Sequence, residues 1–351
     1  MYLYLTEKTM QGENMEEFSS DDDSNCEDVT SKWLLGFIEP PLRQTDLLRH
    51  RFPSKVGGRP AWLDPIHLPT IEMLSCPKSD GIMKFLLQVY APVDENPDAF
   101  HRTLFVFVSK DGPAIHSIPG SVKAFRCQLP RSNSYYGYDP PSELDDAPLS
   151  VEQAVSGIDP WNVLEYEVNS KVEGSAELEA ELFPEYEMVV EPEPNESKLI
   201  DREAEIKKYA EVSQQYTEEE LPCDVVEDIE KNMPTEQRDF ASFATRISLE
   251  PSQVLRYCFE TGVKPICPSS KGIPSGDSIP PCQHCQGPRK FEFQVMPQLL
   301  NSLNVDPLDK LAPDWGMIAV YSCAGSCSTQ PADGCSYVEE YVWVQPPDLM
   351  N

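Results

Sequence analysis

The sequence is short of positive charge: 28 lysines and arginines face 59 aspartates and glutamates, a net charge of −31 at pH 7. Any function that rests on neutralising phosphates starts at a disadvantage, so nucleic acid is not expected as a direct ligand. No apolar run approaches the roughly 20 residues that a membrane helix needs. The opening MYLYLTEKTMQGENMEEF has neither the basic n-region nor the apolar h-region of a secretory signal. These absences point to the cytosol or nucleus, and to no membrane. Only five histidines are present. His50, His67, His101 and His116 lie far apart, with no Ser or Cys in a recognisable nucleophile elbow, and read as hydrogen-bonded structural residues. Gly57-Gly58 precedes Arg-Pro without the spacing of a phosphate loop and reads as a turn. No enzyme is expected, and no catalytic residue is assigned.

What the chain does have is size, proline and unevenly placed acid. Its 351 residues allow about two domains, 40% hydrophobic residues suffice for real cores, and 34 prolines imply much loop and linker. Residues 1–30 hold nine acids against one base, and residues 141–230 hold twenty-seven against five. Everything else is nearly neutral, with 23 acids and 22 bases, and it carries the aromatic-rich runs. The acidity therefore belongs to a tail (1–30) and a linker (141–235), both expected to be mostly disordered. Short helices are expected near Glu177–Leu182 and Arg202–Glu211. Such a linker is either plain solvated chain or an acidic surface for a basic partner protein. Within it, Leu178, Leu182, Tyr186 and Met188 have the spacing of a leucine-rich nuclear export signal, although Pro184 interrupts any helix there.

The two neutral stretches, 31–140 and 236–351, resemble each other. Shifting the chain by about 205 residues lays Gly57-Gly58-Arg59-Pro60 on Gly262-Val263-Lys264-Pro265, and a shift of 206 lays Phe85–Val89 on Phe291–Val295. The runs Leu104–Val108 and Ile318–Ser322 follow at a shift near 214, and Val122–Gln128 and Tyr337–Gln345 close each half. Alternation in FEFQVM, MIAVYS and YVEEYVWVQ fits half-buried antiparallel strands; LFVFV is continuously apolar and fits burial on both faces. The expected fold is mainly β with some α: two duplicated antiparallel β modules, packed pseudo-symmetrically and joined by the long acidic linker. The amino-terminal core is expected to draw on Trp62, Phe85, Leu87, Tyr90, Phe105, Phe107 and Phe125.

Chemistry concentrates in the second half. Cys282 and Cys285 are separated by two residues, Cys323 and Cys327 by three, and intervening strands can return the second pair beside the first. In a reducing compartment such pairs suggest metal before disulfides, and two short pairs can supply four tetrahedral thiolates to a structural zinc. Cys335 is an alternative to one of the second pair, and His284 a weaker one. Free thiols or a redox pair are the competing readings, the latter without a thioredoxin-like βαβ pattern around it. Four closed ligands leave no open position, so metal catalysis is not expected. In the first half Cys76 lands on Cys282, but Ser79 stands where Cys285 would.

These residues reach a known family. LLGFIEPP (34–41), SKVGGRPAWLDP (54–65), FLLQVYAP (85–92), FHRTLFVF (100–107) and KAFRCQLPR (123–131) in one half closely resemble the programmed cell death protein 2 family. In the other half PSQVLRYC (251–258), IPPCQHC (279–285), FEFQVMPQLL (291–300), DWGMIAVYSC (314–323) and YVEEYVWVQ (337–345) do the same. Members with a MYND-type zinc finger insert it before the linker; lacking such a cluster, the chain resembles the "2-like" branch. Its departures from the family are Ser79 and Cys267, the latter where relatives often carry Trp. The resemblance implies a dedicated chaperone or adaptor in 40S ribosome biogenesis that binds small-subunit ribosomal protein S two, the homologue of bacterial S five. It further implies association with pre-40S particles and shuttling between nucleus and cytoplasm through an exportin. A zinc-ribbon nucleic-acid-binding or transcription-associated protein is the alternative.

Overall fold

A computed structural model describes residues 32–78, 81–138, 182–194, 234–306, 308–329 and 334–347. The amino-terminal half supplies β1 (Leu34–Glu39), β2 (Lys55–Val56), β3 (Lys84–Tyr90), β4 (His101–Val108), the short helix α1 (Gly112–Ser117) and β5 (Val122–Leu129). From the acidic region comes β6 (Tyr186–Pro192). The other half supplies α2 (Thr235–Ser248), β7 (Leu255–Tyr257), β8 (Arg289–Val295), β9 (Met317–Cys323) and β10 (Val338–Gln345).

All ten strands close one antiparallel barrel in the order β1-β6-β2-β3-β4-β5-β10-β9-β8-β7. The mainly β expectation holds, and the two halves share one sheet, meeting at two seams, β5 on β10 and β1 on β7. Closure removes the unpaired apolar edges that either half alone would expose. Inside that frame the halves remain parallel in detail. The meanders β3-β4-β5 and β8-β9-β10 each carry a register irregularity at matching places, between Phe85 and Leu87 and between Phe291 and Phe293. Gln88 accepts from Ala61 N at 2.8 Å and Gln294 from Ile266 N at 2.9 Å, so matching glutamines clamp matching loops.

Alternation decides what each face packs against. Leu87, Leu104, Val106, Phe293, Val295, Ile318 and Val320 join one core shared by both halves, the barrel lumen. On the outside, Trp62, Phe85, Phe105, Phe107 and Phe125 form an aromatic layer with Tyr337. A smaller outer layer of Cys267, Phe291, Met317, Ala319 and Tyr321 serves the second half. Strand β4 is buried at all eight positions, as its continuous apolar run implies. Of the expected core set, Leu87 faces the lumen rather than the aromatic layer, and Tyr90 is half-buried with its hydroxyl 3.0 Å from His101 Nδ1.

The acidic linker, expected to be mostly disordered, contributes one strand, β6. Along Tyr186–Pro192 glutamates alternate imperfectly with Tyr186, Met188 and Val190, and Met188 is buried in the lumen. Ion pairs with at least one buried partner hold both ends of this segment: Lys55 with Glu185 before it, and Glu193 after it with Arg256 at 2.5 Å and Arg246 at 2.5 Å. Gly57 and Gly58 do more than turn. Both have positive φ, and a Cβ on Gly57 would lie 1.9 Å from Pro184 O, so the bare backbone is what lets residues 183–185 lie against the barrel wall. The tail, the expected helices at Arg202–Glu211 and nearly all of Glu177–Leu182, and Leu178 lie outside the described residues.

Candidate metal centre

Two turns at one end of the barrel carry the four cysteines. Before β8, Cys282 N donates to Gly287 O at 2.8 Å and Gln286 N to Cys282 O at 2.8 Å, with Gln286 at positive φ closing the loop. Gly287 N also donates to Cys285 Sγ at 3.4 Å. After β9, Ser326 N returns to Cys323 O at 2.9 Å, and Ser326 itself takes φ +42°. Pairing of β8 with β9 sets Arg289 opposite Cys323, which brings the second turn over the first.

The four sulfurs Cys282, Cys285, Cys323 and Cys327 all lie within 4.8 Å of one another. Cys282 and Cys327 are 3.8 Å apart, and Cys285 and Cys323 3.6 Å. Thiolates at about 2.3 Å from a tetrahedral zinc stand roughly 3.8 Å apart, so the donor set fits that ion. Burial pushes the Cys327 thiol up, opposed by the charge of Arg126. Of the alternatives, Cys335 Sγ instead accepts from Tyr337 N at 3.4 Å, while His284 Nδ1 stands at the exposed rim, 3.9 Å from Cys327 Sγ but outside the four-sulfur set.

The first half repeats one backbone bond of this turn around a single thiol. Cys76 N donates to Gly81 O at 3.1 Å, as Cys282 N does to Gly287 O, but Cys76 Sγ meets Ser121 Oγ at 3.6 Å. Ser109, in register with Cys323, is buried and caps Asp111 N at 3.1 Å. Ser79 lies outside the described residues. Cys267 is a core thiol beside Met317, pushed up to about 12 by burial and then by Asp239.

Charge reading along the sequence missed what surrounds the centre. At the same end of the barrel, the lumen is filled by ion pairs between the halves. Arg102 binds Glu292 through two bonds of 2.5 and 2.8 Å, and Ser322 donates to the same carboxylate. Arg126 reaches Glu340 at 2.7 Å, and Glu340 also accepts from Arg289 at 2.9 Å. Burial alone would raise the Glu292 carboxyl, but the charge and hydrogen bonds of Arg102 and the Ser322 hydroxyl hold it below the ordinary range. The visible signal was a lone charge inside each apolar run, as in FEFQV, FHRTLFVF and KAFRCQ.

The histidines are structural, unevenly so. His67 Nδ1 lies 2.9 Å from Asp64 Oδ2, and His101 is lowered to about 4 by burial and then by Arg131. Buried His50 Nε2 and His116 Nδ1 have no hydrogen-bond partner among the described residues, contrary to expectation. Of the export set, Leu182 and Tyr186 are half-buried against the core and Met188 is buried, so these side chains serve the barrel.

With this geometry in hand, family models were compared. That for the N-terminal domain of programmed cell death protein 2 matches residues 32–143, and that for its C-terminal domain matches 237–346. The chain belongs to the programmed cell death protein 2 family. A Mus musculus relative named "Programmed cell death protein 2" is 36% identical over 347 residues, covering 89% of this chain and 95% of its own length. The Homo sapiens "Programmed cell death protein 2-like" is 26% identical over 343 residues, covering 85% and 91%. Relatives under both names thus match the chain along most of its length. A Schizosaccharomyces pombe relative, "Probable 20S rRNA accumulation protein 4", is 33% identical over 130 residues, 34% of this chain and 31% of its own length. No solved structure matches the chain.

Proposed function

We propose that the chain is a non-enzymatic binding protein of small-subunit ribosome biogenesis, a dedicated chaperone or adaptor for one small-subunit ribosomal protein. The observation that carries this reading is family membership together with a relative whose name ties it to accumulation of 20S rRNA. The distribution of charge supports it in kind. A nearly neutral barrel offers a specific surface, while acid concentrated in the tail and around β6 would steer and shield a strongly basic client. The finer reading names ribosomal protein S two as that client and pre-40S particles as the destination, with exportin-dependent shuttling between nucleus and cytoplasm. An export signal would have to use residues beyond β6, since Tyr186 and Met188 could serve an exportin only by leaving the sheet. The four-thiol centre is structural in this reading, with zinc held by Cys282, Cys285, Cys323 and Cys327 and no position left for a substrate.

Affinity purification of the tagged chain from its own cells at moderate salt, followed by mass spectrometry, tests the proposal. Near-stoichiometric recovery of one small-subunit ribosomal protein is expected, with association that slows as salt rises. Recovery of RNA without a ribosomal protein would instead favour the nucleic-acid-binding alternative.

A further inference from the structure

The metal centre is sequenced in one half but built by both. Beyond its own backbone bonds, its second turn is held by the amino-terminal half: Arg126 Nη1 donates to Cys327 O at 2.7 Å and Nη2 to Cys327 Sγ at 3.5 Å. Gln128 Nε2 and Asn96 Nδ2 donate to Ser326 O at 3.0 and 2.9 Å, and Gln128 N donates to Thr329 Oγ1 at 3.0 Å. These bonds fix Ser326 in its left-handed conformation, which a non-glycine residue leaves unless its surroundings hold it. The first turn is tied to the same point. Arg289 donates to Pro280 O and Pro281 O at 3.1 and 3.0 Å, and its Nε meets Glu340 Oε2 at 2.9 Å, the carboxylate that Arg126 also binds. Glu340 lies in the β5–β10 seam, a ladder of only three residue pairs.

We propose that Arg126 is an outer-sphere partner of the metal centre, supplied by the opposite half, and that metal occupancy and closure of the β5–β10 seam are one coupled equilibrium. Four thiolates around a dication leave two negative charges, and Arg126 is the guanidinium in contact with a ligand sulfur. The coupling is reciprocal: whatever weakens the seam weakens metal binding, and metal loss loosens the seam. This inference rests on the thiol geometry and is independent of any ribosomal role.

The test uses the full chain, with zinc competed against a chromogenic chelator and hydrogen exchange followed at the amides of residues 124–126 and 338–340. Arg126→Lys, which keeps the charge but cannot reach sulfur, carbonyl and carboxylate together, should weaken zinc binding by about 10–100-fold. Asn96→Asp keeps the bond to Asp98 N and removes the donor to Ser326 O; it should weaken zinc by several-fold. Arg43→Gln removes a surface ion pair with Asp46, far from both turns and from the seam, and should leave the zinc affinity of the folded chain unchanged. Stripping zinc from the unaltered chain should speed exchange at the seam at least tenfold while sparing β3 and β4. Wild-type affinity in folded Arg126→Lys would overturn the proposal, as would a seam indifferent to zinc. Should Arg126→Lys fail to fold, Asn96→Asp and the exchange measurement decide in the same way.

Discussion

The two halves of the barrel repeat one plan and stabilise it by different chemistry. In the first, the outer face of the meander is covered by Trp62, Phe85, Phe105, Phe107 and Phe125, with Trp62 ring centroids 5.1 Å from Phe105 and 5.0 Å from Tyr337. In the second, the matching positions hold Cys267, Phe291, Ala319, Tyr321 and Tyr341, so two large aromatics give way to small side chains. The half with less apolar cover is the half with four clustered thiols. A metal bound at these thiols would do by ligation in one half what the aromatic layer does by burial in the other.

Breaking the comparison at the metal should have the largest effect. Structural zinc sites are worth roughly 10–16 kcal/mol of apparent binding energy in small peptides. Cys323→Ala should therefore abolish cooperative thermal unfolding of the barrel or lower its midpoint far more than any other single change, as calorimetry would show. Trp62→Ala should cost about 3–5 kcal/mol in denaturant titration while leaving metal content intact, because its contacts lie on the aromatic layer.

The ion pairs that join the halves come next. Glu292→Gln leaves Arg102 buried without its partner charge, a loss of about 3 kcal/mol. Since the Glu292 carboxyl is held below its ordinary value in the folded chain, its contribution is complete above the unfolded pKa of about 4.3 and is lost as pH falls through the lower folded value. Stability measured against pH should accordingly fall on the acid side in the parent and flatten there in the variant. The smallest effect sharpens the comparison from the other side. Cys76→Ala removes a buried thiol at the place equivalent to Cys282, and should cost only about 1 kcal/mol with no change in bound metal.

Much of this was readable before any coordinates. Period-two alternation placed β8, β9 and β10 within a few residues, the continuous apolar run LFVFV placed β4, the repeat placed β3 and β5, and the pair spacing singled out the four cysteines that meet. Three features were not readable, each for a physical reason. Strand β6 hid because its glutamates sit on a half-exposed face, where composition resembles a solvated linker although Met188 points inward. Single-barrel closure depends on seams between residues about 200 positions apart, such as Phe125 and Glu339, and local pattern carries no information on them. Arg102, Arg126, Glu292 and Glu340 were counted as ordinary balanced charge, yet all four are buried and paired across the halves. A charged residue alone in an apolar run demands a buried partner, but its identity requires the fold.

The central claim, one barrel whose second half is organised by a four-thiol metal centre, is tested most directly by native mass spectrometry of the full chain alongside Cys285→Ser and Cys76→Ser. The account predicts one zinc per parent chain, one in Cys76→Ser and none in Cys285→Ser. A parent chain without metal whose thiols at 282, 285, 323 and 327 alkylate freely under native conditions would contradict it.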